Sequence, residues 1–189
     1  MAQGGRRARD HALLDALDAF KREPFAEPVW RVAREGRDPL IASPSRSRWC
    51  NGDFDVLYTS LHRDGAMAEV HALLSLQPVF PSGMRWQVHE LAVAAGQTLR
   101  LADLSALARL GVDVAHYGER EYAHTQEIAD AAFFLGFDGL VAPSARWDCL
   151  NAILFATRIP QDQIAIKASE AGMIDWEKWR AAKRPRPQA

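Results

Sequence analysis

Glu69 is the one acid in an otherwise apolar helical stretch. From Ala66 to Leu76, Met67, Val70, Leu73 and Leu74 recur at helical spacing, and Ala66, Ala68 and Ala72 cover most of the rest. A helix that is apolar nearly all round is a buried helix, and a carboxylate is rarely buried without a partner or a task. Two readings follow from the pattern. Glu69 is either an acid at the helix rim, solvated or paired with Arg63, or a carboxylate placed to stabilise positive charge in a reaction. Arg31 poses the same question. Residues 29–34 alternate, so Arg31 shares a strand face with Val29 and Ala33. An inward-facing Arg needs an anion. That anion is either within the fold, Glu69 included, or a bound phosphate or pyrophosphate, whose oxygens the planar fork takes in pairs. The third option is a strand-edge Arg in water. Arg48, in a loop, invites the same readings.

The elements that must carry these residues can be read in order. Residues 43–55 are rich in Ser, Pro, Gly and Asp and read as a loop holding Arg48. Val56–Ser60 is short and β-prone and reads as a strand holding Tyr58. Arg63, Asp64 and Gly65 connect it to the Glu69 helix, with Asp64 as the expected N-cap. Upstream, Asp10 can cap a helix whose stripe is Leu13, Leu14, Leu17 and Phe20, ending before Pro24. This stripe serves either packing or a partner protein. Downstream, 86–93 and 98–101 read as strands turned at Ala95-Gly96. Residues 104–110 read as a short helix stopped by Gly111, 112–117 as extended chain, and 120–135 as a helix ended by Gly136. Residues 139–142 form an apolar strand, and Pro143-Ser144-Ala145-Arg146 a turn. Residues 151–156 and 163–168 read as strands, and 174–182 as a last helix with Trp176 and Trp179. Short strands interleaved with separated helices argue an α+β fold rather than a doubly wound sheet.

Bulk properties narrow the function. At 189 residues, 48% hydrophobic and 25% charged, the chain is one soluble-type domain with arms, long enough to bury its own core. A net charge of −1 gives no electrostatic case for direct nucleic-acid or membrane binding. No apolar run approaches membrane-spanning length. Cys50 and Cys149 are isolated, which fits a reducing, cytoplasmic setting. The six histidines are scattered and no HExxH occurs, so no metal is expected. Ser144 lies outside any GxSxG elbow, and there is no P-loop or dinucleotide glycine fingerprint.

Several short pieces, taken in order, resemble the RES domain family, toxins of bacterial toxin–antitoxin pairs named for an Arg, a Glu and a Ser. They are Trp30-Arg31, then Ser47-Arg48-Trp49-Cys50-Asn51, Tyr58, Glu69, Pro143-Ser144-Ala145, Asn151 and Leu154-Phe155, spanning residues 29–156. Two departures stand in the second piece. Ser47 replaces the usual Gly, and Cys50 is inserted before Asn51. The resemblance implies an ADP-ribosyltransferase-like core of two small β-sheets flanked by helices, with NAD+ between them. The expected organisation is an N-terminal arm and helix (1–28), a RES domain (29–170) and a C-terminal helix and tail (171–189).

The activity it implies is that of a type II toxin, cleaving NAD+ at the nicotinamide–ribose bond and transferring ADP-ribose to a cellular protein. The alternatives are an NAD+ glycohydrolase or phosphorylase, a ribonuclease toxin, and a module that senses the nucleotide without turnover. The site residues it implies are Arg31 and Arg48 on the pyrophosphate, Tyr58 against nicotinamide, Glu69 at the ribose, and Ser144 with Asn151 hydrogen-bonding ribose, phosphate or amide. The partners it implies are an Xre-like antitoxin and an ADP-ribose acceptor.

Overall fold

The computed structural model describes residues 8–182. Along the chain run α1 (His11–Asp18), β1 (Arg22–Phe25), β2 (Pro28–Arg34), β3 (Val56–Ser60), α2 (Arg63–Leu74), β4 (Trp86–Val93) and β5 (Ala95–Arg100). There follow α3 (Leu104–Arg109), α4 (Ala123–Phe134), β6 (Gly139–Pro143), β7 (Leu150–Phe155), β8 (Ile164–Ser169) and α5 (Trp176–Ala182). The architecture is α+β.

The eight strands share one sheet in the order β1-β5-β6-β7-β3-β2-β4-β8, antiparallel except for the β5–β6 pair. Its middle is nearly cut. β2 and β3 meet at a single residue pair, Trp30 opposite Ser60, whereas β2 pairs with β4 along its whole length. The two small sheets implied by the resemblance are therefore two wings of one sheet, β1-β5-β6-β7-β3 and β2-β4-β8. Strands that part after one pair leave room between them, and α2 packs across the gap on both β2 and β3.

Each wing is covered in its own way. α1 begins where Asp10 accepts a hydrogen bond from the Ala12 amide, and Leu13 and Leu17 are buried in the same core as Ile128 and Ala132 of α4. Arg9 ties the start of that helix to Asp130 at 2.6 Å. Over the second wing, Trp176 and Trp179 of α5 join Val32, Met67 and Val88 in a separate cluster. The Trp179 indole donates to Asp64 at 3.1 Å, so the last helix packs on the helix that carries Glu69. Expectations for residues 1–7 and for the 183–189 tail lie outside the described residues.

Several local expectations change. Asp64 is not the N-cap of α2. His62 is, its ring Nδ1 accepting from the Asp64 amide at 3.2 Å, and Asp64 is buried in the first turn. Ala95 and Gly96 lie in a strand, and β4 and β5 do not pair. The chain crosses from one wing to the other through Ala94, and the Gly96 and Gln97 amides both donate to Asp138 at 2.8 Å. Small residues marked a change of direction there, but they carry no information about which strand is met next. Residues 112–117 form turns, held by the Tyr117 hydroxyl donating to the Pro143 carbonyl at 2.7 Å. α4 starts at Ala123, which leaves Arg120 and Tyr122 in the preceding turn. β1 was hidden by Pro24, which sits at an irregularity on the sheet edge, where a missing N–H is tolerated.

Candidate functional site

The site lies where the wings separate. β3 ends at Ser60, whose hydroxyl accepts from the His62 amide at 3.3 Å and so opens α2. Gly65 lets the first turn sit down on the sheet. A Cβ there would come within 2.5 Å of both Ser60 Oγ and Cys149 Sγ. One turn later, at i+4, the helix presents Glu69 to the gap.

Glu69 is gripped from behind. Its Oε1 accepts from Ser144 Oγ at 2.7 Å and from Asn151 Nδ2 at 2.7 Å. Both donors are about 1% exposed, and both sit at strand ends: Ser144 just after β6, and Asn151 near the start of β7, opposite Ser60 of β3. Ser144 Oγ in turn accepts from the Arg146 and Trp147 amides at 3.1 and 3.2 Å, which fixes its proton on the carboxylate. Oε2 makes no hydrogen bond among the described residues, and Glu69 itself is only half-buried. One oxygen is therefore anchored and the other is available to a ligand. Neither Arg63 nor Arg31 is its partner. Arg63 pairs with Glu170 and Asp64.

Around Glu69 is a cleft of about 390 Å³. Tyr58 lines it, with its hydroxyl 3.4 Å from Asn151 Nδ2. Burial, reinforced by the Glu69 charge, holds the Tyr58 phenol well above its ordinary pKa, so it stays protonated and able to donate. Five arginines line the same cleft, Arg31, Arg46, Arg48, Arg120 and Arg146, against the single acid Glu69. A chain with a net charge of −1 thus concentrates positive charge at one place.

Four of these arginines, Arg31, Arg48, Arg120 and Arg146, donate to backbone carbonyls. Arg31 donates from Nη1 to Pro39 and from Nη2 to Ile41, both at 2.9 Å. Burial lowers its pKa and nearby Asp38 opposes that shift, but a guanidinium remains charged. Arg48 is buried between the rings of Tyr117 and Tyr122, 4.4 and 4.8 Å from their centroids, and donates to the Glu119 carbonyl at 2.9 Å. Arg146 donates to Gly118 at 2.8 Å and Arg120 to Ala72 at 3.1 Å. The inserted Cys50 is accommodated. Ser47 and Cys50 exchange backbone hydrogen bonds at 3.0 and 3.3 Å around a closed turn, and Gln126 Nε2 donates to both of their carbonyls. The Cys50 thiol points into the core against the Phe54 carbonyl, where burial raises its pKa.

Of the six residues singled out from sequence, Arg31, Arg48, Tyr58 and Glu69 line the cleft. Ser144 and Asn151 stand behind Glu69 and donate to its Oε1. Arg46, Arg120 and Arg146 were missed. They lie in irregular segments with no periodicity to betray a face, and only the tertiary fold converges them. None of the six histidines lines the cleft, and among the described residues no group of three His, Cys, Asp or Glu side chains is placed to hold a metal ion.

A carboxylate braced at one oxygen, at the parting of two β-wings and in a cleft lined by arginines, marks the candidate site of this α+β domain. The chain belongs to the RES domain family, whose model matches residues 28–177. Among solved structures it is similar to a chain of the M. tuberculosis MbcT–MbcA toxin–antitoxin complex. That match has a TM-score of 0.79 at 18% identity and covers 92% of this chain and 98% of that one. At such identity the likeness is one of fold. No curated protein matches the chain by sequence.

Proposed function

We propose that this protein is the toxin of a type II toxin–antitoxin pair and cleaves NAD+ at the nicotinamide–ribose bond, transferring ADP-ribose to a cellular protein. The observation that carries the reading is the Ser144–Glu69–Asn151 arrangement, with one carboxylate oxygen held and the other turned to a cleft rich in arginine. Family membership and a neighbour solved as a toxin–antitoxin complex support the same reading.

The chemistry follows from charge. In NAD+ the glycosidic C–N bond breaks with its electron pair leaving on nicotinamide, which departs neutral, while the ribose becomes oxocarbenium-like. Glu69 Oε2 offers negative charge and a hydrogen-bond acceptor to that ribose, and Ser144 and Asn151 keep the carboxylate from turning away. Tyr58 supplies an aromatic face to nicotinamide, and its neutral hydroxyl donates. Arg31 and Arg48 receive the pyrophosphate. The acceptor nucleophile then bonds to the anomeric carbon and loses its proton.

A second reading has an observation of its own. Five arginines exceed what one diphosphate requires. That favours an anionic acceptor such as inorganic phosphate, which would make the enzyme an NAD+ phosphorylase. A ribonuclease is disfavoured because no histidine reaches the cleft to serve as acid or base. The deciding experiment incubates the purified chain with NAD+ and follows free nicotinamide, with and without phosphate and cell extract. Nicotinamide release with label fixed on protein is the expected result. Release that requires phosphate selects the second reading. Intact NAD+ rejects both.

A further inference from the structure

Trp179 touches both halves of the grip on Glu69. It lies in α5, just beyond the end of the family match at residue 177, and is 7% exposed. Its indole N–H donates to Asp64 Oδ1 at 3.1 Å, in the first turn of α2. Its ring meets that of His71, further along the same helix, at a centroid distance of 5.6 Å. The two contacts flank Glu69 along α2. The same ring lies 5.9 Å from that of Trp147, with 35° between the planes. Trp147 belongs to the turn that carries Ser144. Its amide donates to Ser144 Oγ at 3.2 Å, and the Ser144 amide closes the turn on the Cys149 carbonyl at 2.9 Å. One side chain thus rests on the helix that supplies the carboxylate and on the turn that supplies its hydroxyl donor. The chain leading to α5 is tied at the same place, where Glu170 pairs with Arg63 of α2.

We propose that Trp179 is a positioning residue for the reaction, a wedge that fixes α2 against the 144–149 turn and so holds the Ser144 hydroxyl on the Glu69 carboxylate. The inference rests on the reading of Glu69 given above. The other donor, Asn151, is set by strand register, since β7 pairs with β3 on one side and β6 on the other. Ser144 lies one residue past the β6–β7 ladder, so its place depends on what braces the turn. Trp179 cannot drift from α2 without taking a donor from the buried Asp64 carboxylate, which costs free energy. Its ring is also packed among those of His71, Trp147 and Trp176. A displacement of about 1 Å between turn and helix would carry the 2.7 Å Ser144–Glu69 bond beyond hydrogen-bond range. Misplacements of that size cost up to about 100-fold in rate.

The test compares Trp179→Leu with Trp176→Leu in the full chain, following nicotinamide release over a range of NAD+ concentrations together with the melting temperature. Trp176 is a matched control. It is 6% exposed in the same cluster, and its ring meets those of His71, Phe80 and Trp179 but neither Trp147 nor Asp64. Both variants should melt at lower temperature. Trp179→Leu should also lose kcat by about tenfold or more with KM changed less than about twofold, whereas Trp176→Leu should keep kcat within about twofold. In a Ser144→Ala background the hydrogen bond is already gone, so Trp179→Leu should slow the reaction no further. Equal kcat losses in the two Trp variants, or an undiminished Trp179→Leu effect in the Ser144→Ala background, would make Trp179 a packing residue and overturn the inference. If Trp179→Leu is recovered unfolded, Trp179→Phe carries the comparison, because it keeps an aromatic ring and removes the donor to Asp64. A loss of kcat that disappears in the Ser144→Ala background is then expected. An unchanged kcat, or a loss that persists there, overturns the inference. An unmodified chain that releases no nicotinamide removes the reading of Glu69 and this inference with it. Normal release by the unmodified chain with any of the overturning patterns removes the inference alone.

Discussion

Two donors on one oxygen make the Glu69 carboxylate a directional group. Glu69→Gln keeps the shape and removes the charge, so nicotinamide release should fall at least ~100-fold with little change in melting temperature. Full NAD+ consumption by that variant would assign the chemistry elsewhere. Asn151→Asp is more diagnostic. It replaces the donor 2.7 Å from Glu69 Oε1 by a second carboxylate. Two acids at that distance cannot both ionise readily, so one of the pair rises in pKa. The acid limb of the pH–rate profile should move to higher pH, with activity recovering as pH increases. A variant with lower activity but an unmoved limb would make Asn151 a structural residue only. Arg31→Ala should weaken NAD+ binding more than binding of nicotinamide riboside, which lacks the pyrophosphate. Equal loss for both ligands would mean that Arg31 acts only through the loop it holds at Pro39 and Ile41.

α2 decides where the carboxylate sits, and its other end is held by rings. His71, two residues beyond Glu69, packs against Phe80, Trp176 and Trp179 with centroids 5.5, 5.8 and 5.6 Å away. Its Nε2 is buried and has no hydrogen-bond partner among the described residues. Burial, with Arg180 nearby adding repulsion, lowers the imidazole pKa below its ordinary value. A depressed folded-state pKa means that the unfolded chain takes up the proton first. The His71 contribution to stability is therefore whole above about pH 6.5 and is lost as pH falls below that value. His89 shifts in the same direction, by burial and then by Arg31, so the two must be separated. Melting temperature followed from pH 7.5 to 5 should drop, and His71→Leu should remove part of the drop. An identical acid profile in the variant would place the sensitivity at His89.

This scale is also where the sequence was most and least legible. Periodicity located α1, α2 and β2 because each has a face that must be buried, and β-prone composition located β3. It also exposed Glu69, since a lone acid breaks such a pattern. The partnership of Glu69 with Ser144 and Asn151 was not legible, because those residues lie more than seventy positions downstream on strands whose order no local signal specifies. Arg120 and Arg146 were hidden for the same reason. A turn residue shows no face until the fold supplies one.

At the scale of the whole molecule, the nearly divided sheet is the feature with thermodynamic consequence. The wings meet through one β2–β3 pair, Trp30 opposite Ser60, and the cleft draws lining residues from both sides, Arg31 from β2 and Tyr58 from β3. A dinucleotide with its pyrophosphate on Arg31 and its nicotinamide ribose at Tyr58 and Glu69 would therefore tie the wings together at the parting. Ligand that binds only the folded state adds about 2.7 kcal/mol at a concentration 100 times Kd. For a domain of this size that corresponds to a rise in melting temperature of about 5–10 °C. A non-cleavable NAD+ analogue should give that rise, and it should slow amide exchange most at residues 30–32 and 58–60, which flank the parting. ADP-ribose should reproduce most of the protection, because it retains the pyrophosphate and the ribose. Nicotinamide alone should give little, because it touches neither Arg31 nor the wing that holds it. Protection spread evenly over the sheet, or as strong with nicotinamide alone, would show that the ligand does not span the two wings in this way.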